Sequence, residues 1–374
     1  MIRLPLFAVL LLAAAASGCD TPVTAAPQAR GEAEDVVVVT DSATWAGPVG
    51  EALRAELSKP IATLPSNQGA FHLRFQELTS RSFSNLKLTP PVVFVAALDA
   101  PGETGDFLRA RVGEANLGAV RSGDVAAINL REDLWAQNQL VTIATAATDS
   151  ALARQILQRG PELRRAYERT ARARTQSEMF SQLRQTDVED ALLADYGFRF
   201  AIQHDYVRAQ DSTVTVAGRA GDYVRFRRVL SDSWRDFFVF VQDSVGALPP
   251  PAEIDRVTDG LLETFARGSY DSSFVQLDDQ RPMTRDTTTI AGRPAQEQRG
   301  FWYMTNDVMG GSYVRYAFRD AATDRLYVYY GMTFAPDRTL DKREFLRQVE
   351  AVAYTFRTAA DLDAESGPRT ASGG

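Results

Sequence analysis

The chain of 374 residues contains one cysteine, two histidines and three lysines, Lys59, Lys87 and Lys342. A single thiol excludes an internal disulfide and a thiolate-rich metal site. The pair of histidines one helical turn apart that a zinc hydrolase needs cannot be assembled from His72 in FHLRF and His204 in IQHDYV, both read as strand. The nucleophile elbow G-x-S-x-G and the phosphate-cradling G-x-x-x-x-G-K do not occur. Ser84 and Lys87 form an S-x-x-K without its SDN and KTG companions. Asp278 and Asp279 lie in a polar loop that lacks the alternating oxygen ligands of a calcium loop. The formal net charge is −7, and a nucleic-acid footprint would be basic, so that class is excluded as well. No cofactor and no metal are expected.

What is present begins with MIRLPLFAVLLLAAAASG, in which Arg3 precedes an apolar segment from Leu4 to Ala16 and two small residues precede Cys19. This is the pattern of an export signal. Its apolar part, roughly 13 residues, is shorter than the about 20 needed to span a bilayer. Cys19 stands where a bacterial lipobox places its thiol, although Ala16 occupies a position where Leu is usual. The reading is therefore a lipoprotein signal peptide over 1–18, with Cys19 acylated (a palmitate-type chain and diacylglycerol) and inserted in a membrane of the cell envelope. Stable anchoring takes more than one acyl chain, which such a cysteine supplies.

Residues 19–35 are rich in Ala, Pro and charge without apolar period and read as a disordered tether. From Val36 the β-branched run VVVVT, then PVVFVAAL, VAAINL and QLVTIATAA, alternate with helical spacing such as Val49, Leu53, Leu57. That order predicts an α/β domain over 36–148 with parallel pairing. Residues 149–197 read as charged connecting helices split by Pro161, their arginines alternating with Asp and Glu on a solvated face. Residues 198–358 alternate strand and turn, with amphipathic helices at PPPAEIDRVTDGLLETF and KREFLRQVEAVAYTF. They predict an α+β domain, an antiparallel sheet covered by helices, with the boundary near residue 195. Residues 359–374 read as a disordered tail.

Four segments, VVVVTDSATWAGPVGEALRAEL, NLREDLWAQNQLVTIATA, RGFWYMTNDVMGGSYVRYAF and LYVYYGMTFAPDRTLDKREFLRQVEAVAYTF, together resemble the envelope lipoprotein family catalogued as domain of unknown function four-eight-three-seven. The resemblance runs from about Val36 to Arg357 and is most distinctive between Trp302 and Tyr316. It implies location and architecture and carries no catalytic residues. In element order the C-terminal half is also similar to the small Mog1/PsbP-type sandwiches, which mostly bind partners.

One loop stands out. In RGFWYMTNDVMGGSYVRY, aromatic side chains alternate across two strands around a turn holding Asn, Asp and two glycines. The spacing predicts a hairpin with cross-strand aromatic pairs. It also nominates Trp302, Asp307, Met309, Gly310 and Gly311 as the rim of a docking groove, because aromatic and methionine side chains are costly to expose without use. The function expected is a non-catalytic binding or structural module, with the bilayer as one partner and an envelope protein, glycan or small ligand as the other. The alternative is a carboxylate-dependent hydrolase of an envelope polymer, whose paired acids only spatial proximity would reveal.

Overall fold

The computed structural model describes residues 26–366, apart from 124–126, 182 and 271. Cys19 and the expected signal segment, 1–18, lie outside them. The N-terminal half runs β1 (Asp35–Val39), α1 (Ser42–Ala46), α2 (Pro48–Leu57), β2 (His72–Gln76), α3 (Ser80–Leu86), β3 (Val92–Val95), α4 (Glu103–Val112), α5 (Glu114–Ser122), β4 (Ala127–Glu132), β5 (Leu140–Thr145), α6 (Asp149–Gln158) and α7 (Gly160–Phe180). Its strands form one sheet in the order β2-β1-β3-β5-β4, parallel except for β4. The β-branched run of β1 is buried on both faces, as continuous apolar strands in parallel sheets are. Val36 and Val38 meet Leu53 of α2 and Ile156 of α6, while Val39 and Phe94 meet Leu86 and Leu108 on the other side.

The helices expected to connect domains are core elements instead. Leu152 and Ile156 of α6, with Leu163, Ala166, Tyr167 and Ala171 of α7, pack on the N-terminal sheet, and the Tyr167 hydroxyl bonds Thr142 Oγ1 at 2.7 Å. A stripe at positions i, i+3, i+4 and i+8 had been masked by the surrounding Arg and Glu. Nor is the whole of 19–35 a tether. Ala29 N–H donates to the Gln137 carbonyl at 3.0 Å, Arg30 N–H to Leu88 at 2.7 Å, and buried Arg174 of α7 donates to the carbonyls of Ala29 and Gly31. A segment poor in apolar residues is held here through its backbone, which composition does not register.

The C-terminal half comprises α8 (Thr186–Tyr196), β6 (Phe198–Arg199), β7 (Val207–Val216), β8 (Arg219–Val229), β9 (Trp234–Gln242), α9 (Pro251–Phe265), β10 (Val275–Asp278), β11 (Thr284–Ile290), β12 (Arg293–Met304), β13 (Gly310–Asp320), β14 (Arg325–Phe334), α10 (Lys342–Ala353), β15 (Arg357–Thr358) and α11 (Ala359–Ser366). Strands β7 to β14 make an eight-stranded antiparallel sheet, β10-β12-β13-β14-β9-β8-β7 with β11 also on β12, and β6 pairs β15 separately. Helix α9 covers one face through Ile254, Val257 and Leu261. The other is covered by α10, by Phe198 and Phe200, and by Leu192 of α8, so α8 belongs to this half. His204 lies in a turn, not a strand. Part of the expected tail is also ordered: Asp361 of α11 accepts from Thr358 N–H at 2.8 Å and pairs with Arg293 at 2.9 Å.

Candidate functional site

The aromatic hairpin forms, with Phe301 to Tyr303 opposite Ser312 to Gly310, but the groove rim nominated around it does not assemble. Trp302 is 2% exposed, and its indole N–H donates to the Thr333 carbonyl at 3.1 Å. Gly311 is buried against the same carbonyl, where a Cβ would stand 2.0 Å from the oxygen. Asp307 and Met309 are half-buried, Met309 against the core under α9, and only Gly310 is exposed. The reason is that Trp302 and Met304 point to the face that α9 covers, and that set of side chains is core. The exposed large apolar residues of this end are Tyr303, on the opposite face, and the turn residue Val308, whose side chain stands free.

One groove, of about 600 Å³, lies within the N-terminal half, lined by Leu130, Arg131, Glu162, Arg165 and Arg169, and three other concave surfaces lie where the two halves meet. Helix α10 is pressed between its own sheet and the N-terminal half: Val349 and Val352 face the sheet, while Arg343, Arg347 and Glu350 face outward into the other half. Arg343 donates to the Gly69 carbonyl at 2.6 Å, and Arg347 to Ala70 at 3.0 Å and to Glu34 Oε1 at 2.8 Å. Glu350 receives Arg172 of α7 at 2.8 Å and Arg299 of β12 at 3.1 Å, and Arg299 also binds Glu297 at 2.6 Å. Burial alone would raise the Glu350 carboxyl; Arg299 and Arg172, with Arg347 beyond them, hold it well below the usual carboxylate range. Glu168 faces the same cluster, and burial pushes its carboxyl up despite Arg299. Glu168, Arg172, Arg299, Arg343, Arg347 and Glu350 enclose a cavity of about 40 Å³, room for roughly one water molecule. Arg172 and Arg299 share Glu350, while Arg343 pairs with Asp341 and Arg347 with Glu34, so the cluster acts as a clamp between the halves.

Beside the clamp runs a groove of about 580 Å³. One wall is the end of α7, with Ala173, Gln176, Ser177 and Phe180; the other is Arg199 of β6, Tyr354, Arg357 of β15 and Leu362 of α11, with Arg184 between them. Clamp and groove touch through one contact: the Arg172 guanidinium of the clamp lies 3.5 Å over the ring of groove residue Tyr354, whose hydroxyl bonds Thr288 at 2.8 Å. Arg184 is taken by Glu189, which is itself buried and accepts Ile202 N–H at 2.9 Å. Arg199 bonds Asp190 at 3.2 Å and Arg357 bonds Glu365 at 2.5 Å.

A second crevice, about 180 Å³, is lined by Glu32, Glu34, Glu178 and Glu344 together with Thr175, Gln203 and Arg228. Burial raises the Glu178 and Glu344 carboxyls, and Glu32 and Glu34 push the same way. Among the described residues, no group of three or more His, Cys, Asp and Glu is arranged to hold a metal ion. His72 is exposed at the sheet edge, 3.6 Å from Asp35, and Ser84 and Lys87 sit exposed on or beside α3. None of the groove residues was singled out from sequence. The one available signal was the Arg-rich α7, whose arginines read as solvated because their partners are distant in the chain.

Residues 185–355 match the family model described as Domain of unknown function (DUF4837), and residues 29–180 match a second, Domain of unknown function (DUF8532). The resemblance read from about Val36 onward thus divides: its N-terminal portion matches a different family model. The seam between the matches, residues 181–184, falls inside the groove lining and includes Ser181 and Arg184. No match to a curated protein was found. The C-terminal half of this chain, α8 through α10, is thus similar to the DUF4837 family, and the region before it is similar to DUF8532.

Proposed function

We propose that this protein is a non-catalytic binding module of the cell envelope, anchored through acylated Cys19, with its ligand seated in the groove between the two halves. The observation that carries the reading is that both halves contribute walls to one groove, of a size within the roughly 300–1,000 Å³ range of ligand pockets, beside a buried charge clamp. The N-terminal pattern around Cys19 supports the anchor. Among the described residues no helix is long and apolar enough to cross a membrane. An envelope protein, a glycan or a small ligand would each fit a groove with an aromatic wall and guanidinium edges.

The acidic crevice favours a second reading, hydrolysis by carboxylates, because it gathers four glutamates, of which Glu178 and Glu344 have raised carboxyls. Complementation of a deletion strain separates the two. Filling the groove with Ser177→Trp is expected to abolish complementation while the double substitution Glu178→Gln, Glu344→Gln leaves it intact. The opposite outcome overturns the binding reading in favour of the hydrolase.

A further inference from the structure

The ladder between β6 and β15 contains two residue pairs, Phe198 with Thr358 and Arg199 with Arg357. Phe198 is packed in the core against Phe200, Tyr327 and Phe356, and that burial fixes the register. The register in turn sets two guanidinium-bearing residues directly opposite each other. Opposed residues of an antiparallel pair have Cα atoms about 4.5–5.5 Å apart and side chains on one face, where like charges destabilise the pair. Both arginines line the groove.

Their present partners relieve this only in part. Asp190 and Glu365 are exposed side chains, one to each arginine, and exposed ion pairs contribute little. Neither carboxylate bridges the two guanidiniums. Arg184 is different, since its partner Glu189 is buried and fixed, so it adds wall and field but no free fork.

We infer that the groove binds a phosphate-class oxyanion bridged by Arg199 and Arg357, with the ligand's remaining body lying along Phe180 and Tyr354. This rests on the binding reading above and names its ligand chemistry. A tetrahedral oxyanion has enough acceptor oxygens for both planar forks at once, which removes the repulsion and replaces two exposed pairs with charge-assisted, bidentate bonds. The aromatic floor is held in advance: Tyr354 is fixed by Thr288 and Arg172. Ser177 adds a hydroxyl on the facing wall.

Calorimetric titration of the full chain in detergent with pyrophosphate is the test. Saturable binding is expected, weakened at least tenfold in Arg199→Gln and in Arg357→Gln and unchanged in Arg165→Gln, an exposed arginine of α7 that lines a separate groove with Arg131 and Arg169. Glu365→Gln, which frees Arg357, is expected to tighten binding several-fold and keeps the test open if an arginine variant fails to fold. No saturable binding, or equal weakening by Arg165→Gln, overturns the inference. Competition separates the sources: displacement by lysophosphatidylglycerol micelles but not by glycerol phosphate assigns a lipid headgroup, and the reverse assigns a soluble phosphoester. If pyrophosphate does not bind while Ser177→Trp still abolishes complementation, the oxyanion assignment falls and the binding module stands.

Discussion

Arg172 of α7 and Glu350 of α10 meet at 2.8 Å, an ion pair between elements 178 residues apart that ties the N-terminal half to the C-terminal one. Both side chains are largely withdrawn from solvent, so the pair is costly to break from either end. Glu350→Gln would leave the buried guanidiniums of Arg172 and Arg299 without their shared anion. The expected loss is about 3–5 kcal/mol in urea unfolding, with part of it recovered in the double variant Glu350→Gln, Arg172→Met. A loss below about 1 kcal/mol would mean that the clamp does not hold the halves together.

Asp259 of α9 supplies a pH dependence of stability. Burial, with Asp255 one turn away, pushes its carboxyl up to about 6 from an ordinary 3.8. The native chain therefore keeps a proton that the unfolded chain releases, and this contribution to stability is present below about pH 4 and lost as pH rises through 6. Asp259→Asn retains an acceptor for Leu277 N–H, now bonded at 2.9 Å, and removes the charge. The variant is expected to match the wild type at pH 4 and to exceed it by about 1–2 kcal/mol at pH 7.5. A difference that does not change with pH would refute the assignment.

The hairpin gives a contrast within one turn of chain. Trp302→Phe loses the bond to Thr333 and leaves a void, at a cost of about 2–3 kcal/mol. Gly311→Ala drives a Cβ onto the Thr333 carbonyl and costs about 1–3 kcal/mol. Val308→Ser, at the exposed turn, should stay within about 0.5 kcal/mol. Thermal melts that rank Val308→Ser with the other two would contradict the buried placement of Trp302.

Fragments test where the halves divide. A fragment of residues 185–366 keeps α8, whose Leu192 is core and whose Glu189 caps Ile202 N–H, and should unfold cooperatively, though at lower temperature than the full chain. One starting at Phe198 lacks both and is expected to lose its near-ultraviolet circular dichroism. Equal melts of the two fragments would show that α8 is dispensable.

Cys19→Ala tests the anchor. Wild type is expected to incorporate labelled palmitate and partition with membranes, and the variant to do neither. Equal labelling of the two would end the lipoprotein reading.

The strands of both halves were legible because a β-branched or alternating run states its own burial. VVVVT reads as a strand covered on two faces whatever surrounds it, and in the structure it is. The order of elements likewise led from an α/β half to an antiparallel one. Helix α7 shows where this stops: its charged residues are as consistent with a solvated face as with a buried one, and only their partners decide.

By itself, then, the sequence determined the main strands, the helices α2, α9 and α10 and the two-part order of sheets, since these depend on neighbours within a few residues. The tertiary structure alone decided that Trp302 is buried on the face under α9, that Arg199 faces Arg357, and that Glu350 lies between Arg172 and Arg299, 178 and 51 residues away. A charge carries no mark of its distant partner in local periodicity. Its pairing is settled when burial of apolar residues such as Phe198 and Val349 fixes the register and the helix face, and leaves the charged side chains to meet whatever that packing brings opposite them.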